Sequence, residues 1–129
     1  MKAKMLATLV FLLVASATAS AQNLPVLSTW KNDRGSILSV WWVSGDQFKG
    51  LFTNFAAGFE CQGIPYPAVG RVSPNGSLFF VVTFDKCNTV TTWHGRLNGN
   101  QIPTRWGLVY LDQNGIFQKL SGADLFTRQ

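Results

Sequence analysis

The chain has 129 residues, enough for one domain and not comfortably two. Its formal net charge is +5, but Lys and Arg are scattered singly. A nucleic-acid partner would want a clustered basic stripe, so the charge reads as a solubility feature. The single His, with no paired carboxylates, metal-spaced cluster or nucleophile elbow in the sequence, leaves no general base within reach of a nucleophile, and no enzyme, metal site or catalytic residue is expected.

The first segment reads as a targeting signal. Met1-Lys2-Ala3-Lys4 supplies positive charge, Met5 to Ala15 is an apolar run, and Ala19-Ser20-Ala21 is a small-x-small cleavage site. This is the pattern of a secretory signal peptide, residues 1–21, cut after Ala21. The apolar run is too short to remain as a bilayer anchor. A secreted or periplasmic domain of residues 22–129 is therefore expected, with no membrane association after cleavage. Loss of Lys2 and Lys4 leaves nine Lys/Arg against six Asp/Glu, a net charge of +3.

Beyond the leader no long helix can be placed. Apolar and polar residues alternate, and turn signals recur about every ten residues. These are Ser44-Gly45-Asp46, Ser73-Pro74-Asn75-Gly76, Asn98-Gly99-Asn100 and Asp112-Gln113-Asn114-Gly115. Asn-Gly supplies the positive φ that tight hairpins need; Asn75-Gly76-Ser77 also fits a glycosylation sequon, and the turn is the better reading. The spacing predicts strands at 27–32, 36–43, 47–55, 66–72, 77–84, 89–98, 101–111 and 116–127, with one long connection at 56–65. Eight antiparallel strands joined in order close into an all-β up-and-down barrel, which abolishes sheet edges and is just wide enough for one small ligand.

Period two assigns the faces. On the second strand Ser36, Leu38, Val40 and Trp42 share a face. On the third, Phe48, Gly50, Phe52 and Asn54 oppose Lys49, Leu51 and Thr53. On the sixth, Thr89, Thr91, Trp93, Gly95 and Leu97 oppose Val90, Thr92, His94 and Arg96. On the seventh, Thr104, Trp106, Leu108 and Tyr110 oppose Arg105, Gly107 and Val109. The charged members mark the outside, so the interior is aromatic with small polar groups between the rings. Such groups either pair with each other and trapped water or await a polar-headed ligand.

Cys61 and Cys87 both fall in the exported part, where two thiols usually pair. A bridge across 61–87 is worth up to roughly 3–4 kcal/mol in the chain-entropy model. Two free buried thiols or intermolecular bridges remain the alternatives.

Several segments resemble the avidin and streptavidin family, over nearly the whole mature chain. Thr29-Trp30-Lys31-Asn32-Asp33-Arg34-Gly35-Ser36 is similar to its opening Trp-x-Asn-x-x-Gly-Ser, and Val69-Gly70-Arg71 to its fourth strand. Thr91-Thr92-Trp93-His94-Gly95 is similar to Thr-Thr-Trp-x-Gly. Thr104-Arg105-Trp106-Gly107-Leu108 is similar to Thr-x-Trp-x-Leu, and Asp124-Leu125-Phe126-Thr127 to the closing Asp-x-Phe-Thr. Cys61-Gln62-Gly63-Ile64-Pro65-Tyr66-Pro67 and Cys87-Asn88 resemble the short dimeric members such as rhizavidin, in which a disulfide ties the two loops beside the ligand mouth. Gly115-Ile116-Phe117-Gln118 lacks the Trp that tetrameric members lend to a neighbour's pocket.

The resemblance implies a non-catalytic biotin binder that needs no cofactor. Asn32 and Ser36 would donate to the ureido oxygen; Asp124 and Asn54 would accept from its two N–H groups. Thr91 would meet the sulfur. Thr89, with backbone amides of Ala57 or Gly58, would hold the carboxylate. Trp93, Trp106, Phe84 and Leu108 would wall the rings. Three positions depart from the family: Phe52 stands where a Tyr gives a third bond to the ureido oxygen, Phe84 replaces a Trp, and Arg34 takes a place often apolar. Outward Val90, Val109, Leu51 and Ile37 would suit a homodimer. A lipocalin-like carrier or barrel-type protease inhibitor is the competing reading, but an apolar interior would not carry Asn32, Ser36, Asn54 and Asp124.

Overall fold

The computed structural model describes residues 23–129, so the expected leader at 1–21 lies outside the described residues. Eight strands follow in order: β1 (Ser28–Asn32), β2 (Ile37–Ser44), β3 (Gln47–Thr53), β4 (Pro65–Val72), β5 (Ser77–Phe84), β6 (Thr89–Arg96), β7 (Gln101–Leu111) and β8 (Phe117–Arg128). Each pairs antiparallel with the next. β1 pairs with β8, Trp30 opposite Arg128 and Asn32 opposite Phe126, so the sheet closes as a barrel in sequence order. This is the expected all-β architecture. A short 3₁₀ turn, Asp85–Cys87, which the strand pattern did not predict, joins β5 to β6 and ends at Asn88 in the left-handed region.

The hairpin turns form where the sequence places them. Gly76 and Gly115 have φ of 89° and 74°, conformations open to glycine at no steric cost. Asn75 Oδ1 accepts from Ser77 N at 3.0 Å, and Asp112 Oδ1 accepts from Asn114 N and Ile116 N at 2.9 Å. Side chains thus satisfy the backbone donors that the turns leave free.

One end of the barrel is sealed. Leu24, Trp30, Phe48, Leu97, Ile102 and Phe126 are buried there in the core, and Trp30 Nε1 donates to Ser28 Oγ at 2.9 Å. The alternation on β6 and β7 holds: Thr91, Trp93, Thr104 and Trp106 are buried, while Val90, His94, Arg96 and Arg105 are exposed.

Trp42 is a correction. Period two puts it on the inner face with Leu38 and Val40, but the register shifts between Val40 and Trp42, opposite Gly50 and Lys49 respectively. The extra residue, Trp41, bulges. A bulge reverses the parity of everything beyond it. Trp42 therefore faces out, with Lys49 Nζ 4.9 Å from its ring centre. Val43, opposite Phe48, takes the inward place and packs against the core.

Candidate ligand-binding site

At the end opposite the seal, the barrel opens into a cavity of about 730 Å³, within the usual size of small-molecule sites, about 300–1,000 Å³. All eleven expected ligand-site residues line it. Asn32 ends β1, Ser36 precedes β2, Phe52 comes from β3 and Phe84 from the end of β5. Thr89, Thr91 and Trp93 alternate along β6, Trp106 and Leu108 along β7, and Asp124 comes from β8. Asn54 lies one residue past the end of β3, in the loop rather than on the strand as expected.

The floor is polar and organised around Asp124, which is only 6% exposed. Its Oδ2 accepts from Trp93 Nε1 at 2.9 Å and from Asn32 Nδ2 at 3.2 Å. Its Oδ1 accepts from Arg34 Nε at 2.9 Å. A buried carboxylate is tolerated only with such partners. Asn32 is oriented by its own turn, since its Oδ1 accepts from Arg34 N at 3.0 Å and Ser36 N at 2.9 Å. That fixes which end of the amide faces Asp124. Ser36 Oγ accepts from Phe55 N at 2.9 Å and donates to Asn54 Oδ1 at 3.2 Å.

The walls are aromatic. Trp93 stacks on Phe80, ring centres 4.7 Å apart at 11°, and lies 4.6 Å from Phe52. The Trp93 indole is held by its face against Phe80 and by its N–H on Asp124. Phe84 meets Phe52 and Tyr66 edge-on at 6.0 and 5.1 Å. Trp106 lies against the backbone of Gly122, where an added Cβ would sit 2.5 Å from the indole. Only glycine leaves that ring its place.

A model of the avidin family matches residues 20–129. The chain belongs to the avidin family. It is similar to afifavidin from Afifella pfennigii, 37% identical over an aligned length of 120 that covers 85% of this chain and 74% of afifavidin. The solved structure of bradavidin2 in complex with biotin matches with a TM-score of 0.78 at 53% identity, over 82% of this chain and 99% of that one. Rhizavidin matches with a TM-score of 0.71 at 34% identity, over 79% of this chain and 81% of that one.

In this avidin the long connection after β3 is tied down over the cavity mouth. Cys61 and Cys87 form a disulfide, closing the alternatives that the sequence left open. Asn54 Nδ2 donates to Glu60 O at 3.2 Å, Gln62 Nε2 donates to Ala56 O at 2.8 Å, and Gly63 N donates to Asn54 O at 2.9 Å. Phe59 is thereby set edge-on to Trp106 at 6.0 Å. Gly58 also reaches the cavity.

Several polar groups expected to face a ligand are engaged within the chain. Asn54 Oδ1 accepts from Ala56 N at 3.0 Å as well as from Ser36 Oγ, and Thr89 Oγ1 donates to Cys87 O at 2.9 Å. Arg34, a departure from the family pattern to which the sequence attaches no role, lines the cavity, pairs with Asp124, and sets its guanidinium carbon 5.4 Å from the Trp106 ring centre. Only the basic type at an otherwise apolar position hinted at this. Tyr110 and Leu120 also line the rim. Tyr110 was legible from its inward parity on β7.

Proposed function

We propose that this avidin binds biotin, without catalysis, in the open end of its barrel. The observation that carries the reading is the polar floor centred on a buried Asp124 beneath the aromatic walls of Trp93 and Trp106. A cyclic urea needs donors for its oxygen and acceptors for its N–H groups, and its fused thioether ring needs apolar area. Asn32 has one N–H left after serving Asp124, and the Ser36 hydroxyl, once turned from Asn54, supplies a second donor. Asp124 Oδ1 retains a lone pair for a ureido N–H, and Asn54 serves the other N–H. Thr91 faces the sulfur. Thr89 and the Gly58 backbone amide take the carboxylate at the mouth. Phe52, Phe84 and Leu108 complete the walls, which bury apolar area with little conformational freedom to lose. A fatty-acid carrier is disfavoured, because a greasy ligand would leave Asp124 desolvated against hydrocarbon.

Calorimetric titration of the mature protein with biotin tests this, with a fatty acid as competitor. Saturable heat that the fatty acid leaves unchanged is expected. No heat with biotin, or displacement by the fatty acid, contradicts the reading.

Two further elements belong to the proposal. Residues 1–21 direct export and are removed, so the secreted or periplasmic protein begins at Gln22; an intact mass that retains the leader would refute this. The protein is a homodimer. Leu51, Val69, Phe79 and Val90 are exposed on the outer face of β3 to β6, and apolar area of this kind on a closed barrel suits a second copy. Light scattering should return twice the mass of the chain, and a monomer would overturn the assignment.

A further inference from the structure

We propose that Arg34 is a ligand-contacting specificity residue that, with Asp124, presents a paired donor and acceptor to the N–H/C=O edge of a cyclic urea. This deepens the biotin reading and rests on it.

The proposal follows from counting lone pairs and N–H bonds on the floor. An ionised carboxylate offers about four acceptor positions. On Asp124, Oδ2 is filled by Trp93 Nε1 and Asn32 Nδ2, and Oδ1 is half filled by Arg34 Nε. One position on Oδ1 remains. On Arg34 only Nε is used: both terminal nitrogens lack a side-chain or backbone acceptor among the described residues. The guanidinium is held over Trp106 and lines the cavity. Its side chain is 39% exposed, so it is neither buried in the core nor loose in solvent. Four charged N–H bonds therefore stand next to one unfilled carboxylate lone pair.

That juxtaposition reads a particular chemistry. A group with an N–H and a neighbouring carbonyl can donate to Asp124 Oδ1 and accept from Arg34 together. A ring carrying only N–H groups satisfies half of it. The need for such a donor is visible nearby. Phe52 has no hydroxyl, and the Ser36 hydroxyl is directed to Asn54. Hydrogen bonds from a charged donor are the stronger kind, so Arg34 offers the ureido oxygen its best partner.

The test is calorimetric titration of the mature wild type, Arg34→Leu, Arg34→Lys, Phe52→Tyr and the Arg34→Leu/Phe52→Tyr pair, each with biotin and with 2-iminobiotin. Near neutral pH the latter is a protonated cyclic guanidine, with no carbonyl to accept and a charge that Arg34 repels. Arg34→Leu should weaken biotin by about ten- to a hundredfold while leaving 2-iminobiotin unchanged or tighter, so that the preference for biotin collapses. Arg34→Lys should recover part of the loss. Phe52→Tyr should help the Arg34→Leu background more than the wild type, because the hydroxyl it adds serves the same ureido oxygen that the Arg34 guanidinium serves in the wild type. Melting curves without ligand verify folding; should Arg34→Leu fail to fold, Arg34→Lys and Phe52→Tyr still report, through the biotin to 2-iminobiotin ratio. Equal loss of both ligands would make Arg34 a positioning residue only. Tighter biotin binding by Arg34→Leu would make it an obstacle. Either overturns the assignment. A wild type that binds neither ligand overturns the biotin reading itself.

Discussion

Replacing Asp124 with Asn separates the charge of the floor from its shape. The side chain keeps its size, but one carbonyl oxygen must now serve donors that two oxygens served. Turning the new NH₂ toward Trp93 and Asn32 would set donors against donors at 2.9 and 3.2 Å in a buried place. The oxygen will therefore face them, and the NH₂ will face Arg34, which ends the ion pair. In the unliganded protein the pair is open to solvent on the Arg34 side, 39% exposed, but closed on the Asp124 side, 4% exposed; losing it together with the charge on the bonds from Trp93 and Asn32 costs about 1–3 kcal/mol, a shift of several degrees in Tm. For the ligand the change is separate and adds to this. The lone pair on Oδ1 becomes an N–H, and a hydrogen bond to a charged acceptor, worth about 1.5–3 kcal/mol, is lost. That is roughly a 10- to 150-fold weaker Kd for biotin. Calorimetry on Asp124→Asn gives the affinity, and thermal melts of the free protein give the stability. An affinity within about threefold of the wild type would show that Asp124 does not face the ligand, and would refute the reasoning.

Three further outcomes follow from other parts of the molecule. Cys61→Ser with Cys87→Ser should lower stability by about 2–4 kcal/mol in guanidinium unfolding and speed biotin release, since the loop over the mouth loses its tie; an unchanged unfolding midpoint would count against it. Gly122→Ala should push the Trp106 indole aside and destabilise the barrel by about 1–3 kcal/mol, with altered tryptophan emission and weaker biotin binding; identical melts and spectra would show that the ring has room. The Asp112 carboxyl is held below its ordinary value of 3.8 by the Ile116 N–H first, then by Gln118 and Asn114. Its stabilising effect on the β7–β8 turn is therefore complete above the unfolded pKa and lost as pH falls through the lower folded value. The Tm gap between wild type and Asp112→Asn should be fullest near neutral pH and close in acid, and a gap that widens in acid would reverse the sign.

Much of this was legible in the sequence because closure and parity are local. The four Gly-containing turns set the hairpins, and alternation on β6 put Thr89, Thr91 and Trp93 on one face without reference to anything distant. Trp42 was misplaced because a single bulged residue leaves no mark in composition while reversing the faces beyond it. Alternation extends the third strand through Asn54, but the position of Asn54 comes from hydrogen bonds with Ala56, Glu60 and Gly63 within the loop. The Arg34–Asp124 pair joins residues 90 apart, and its existence depends on the barrel closing β1 onto β8. No window of sequence contains both partners. The same distance argument applies to Phe59, which meets Trp106 through a loop that the Cys61–Cys87 disulfide and its own hydrogen bonds hold over the mouth.

The crystal structure of the mature protein soaked with biotin tests the central claim most directly. The cyclic urea should sit on the floor with one N–H on Asp124, its bicycle between Trp93 and Trp106, and its carboxylate toward Thr89 and Gly58. Density for biotin outside the barrel, or inside it with the carboxylate against Asp124, would contradict the account.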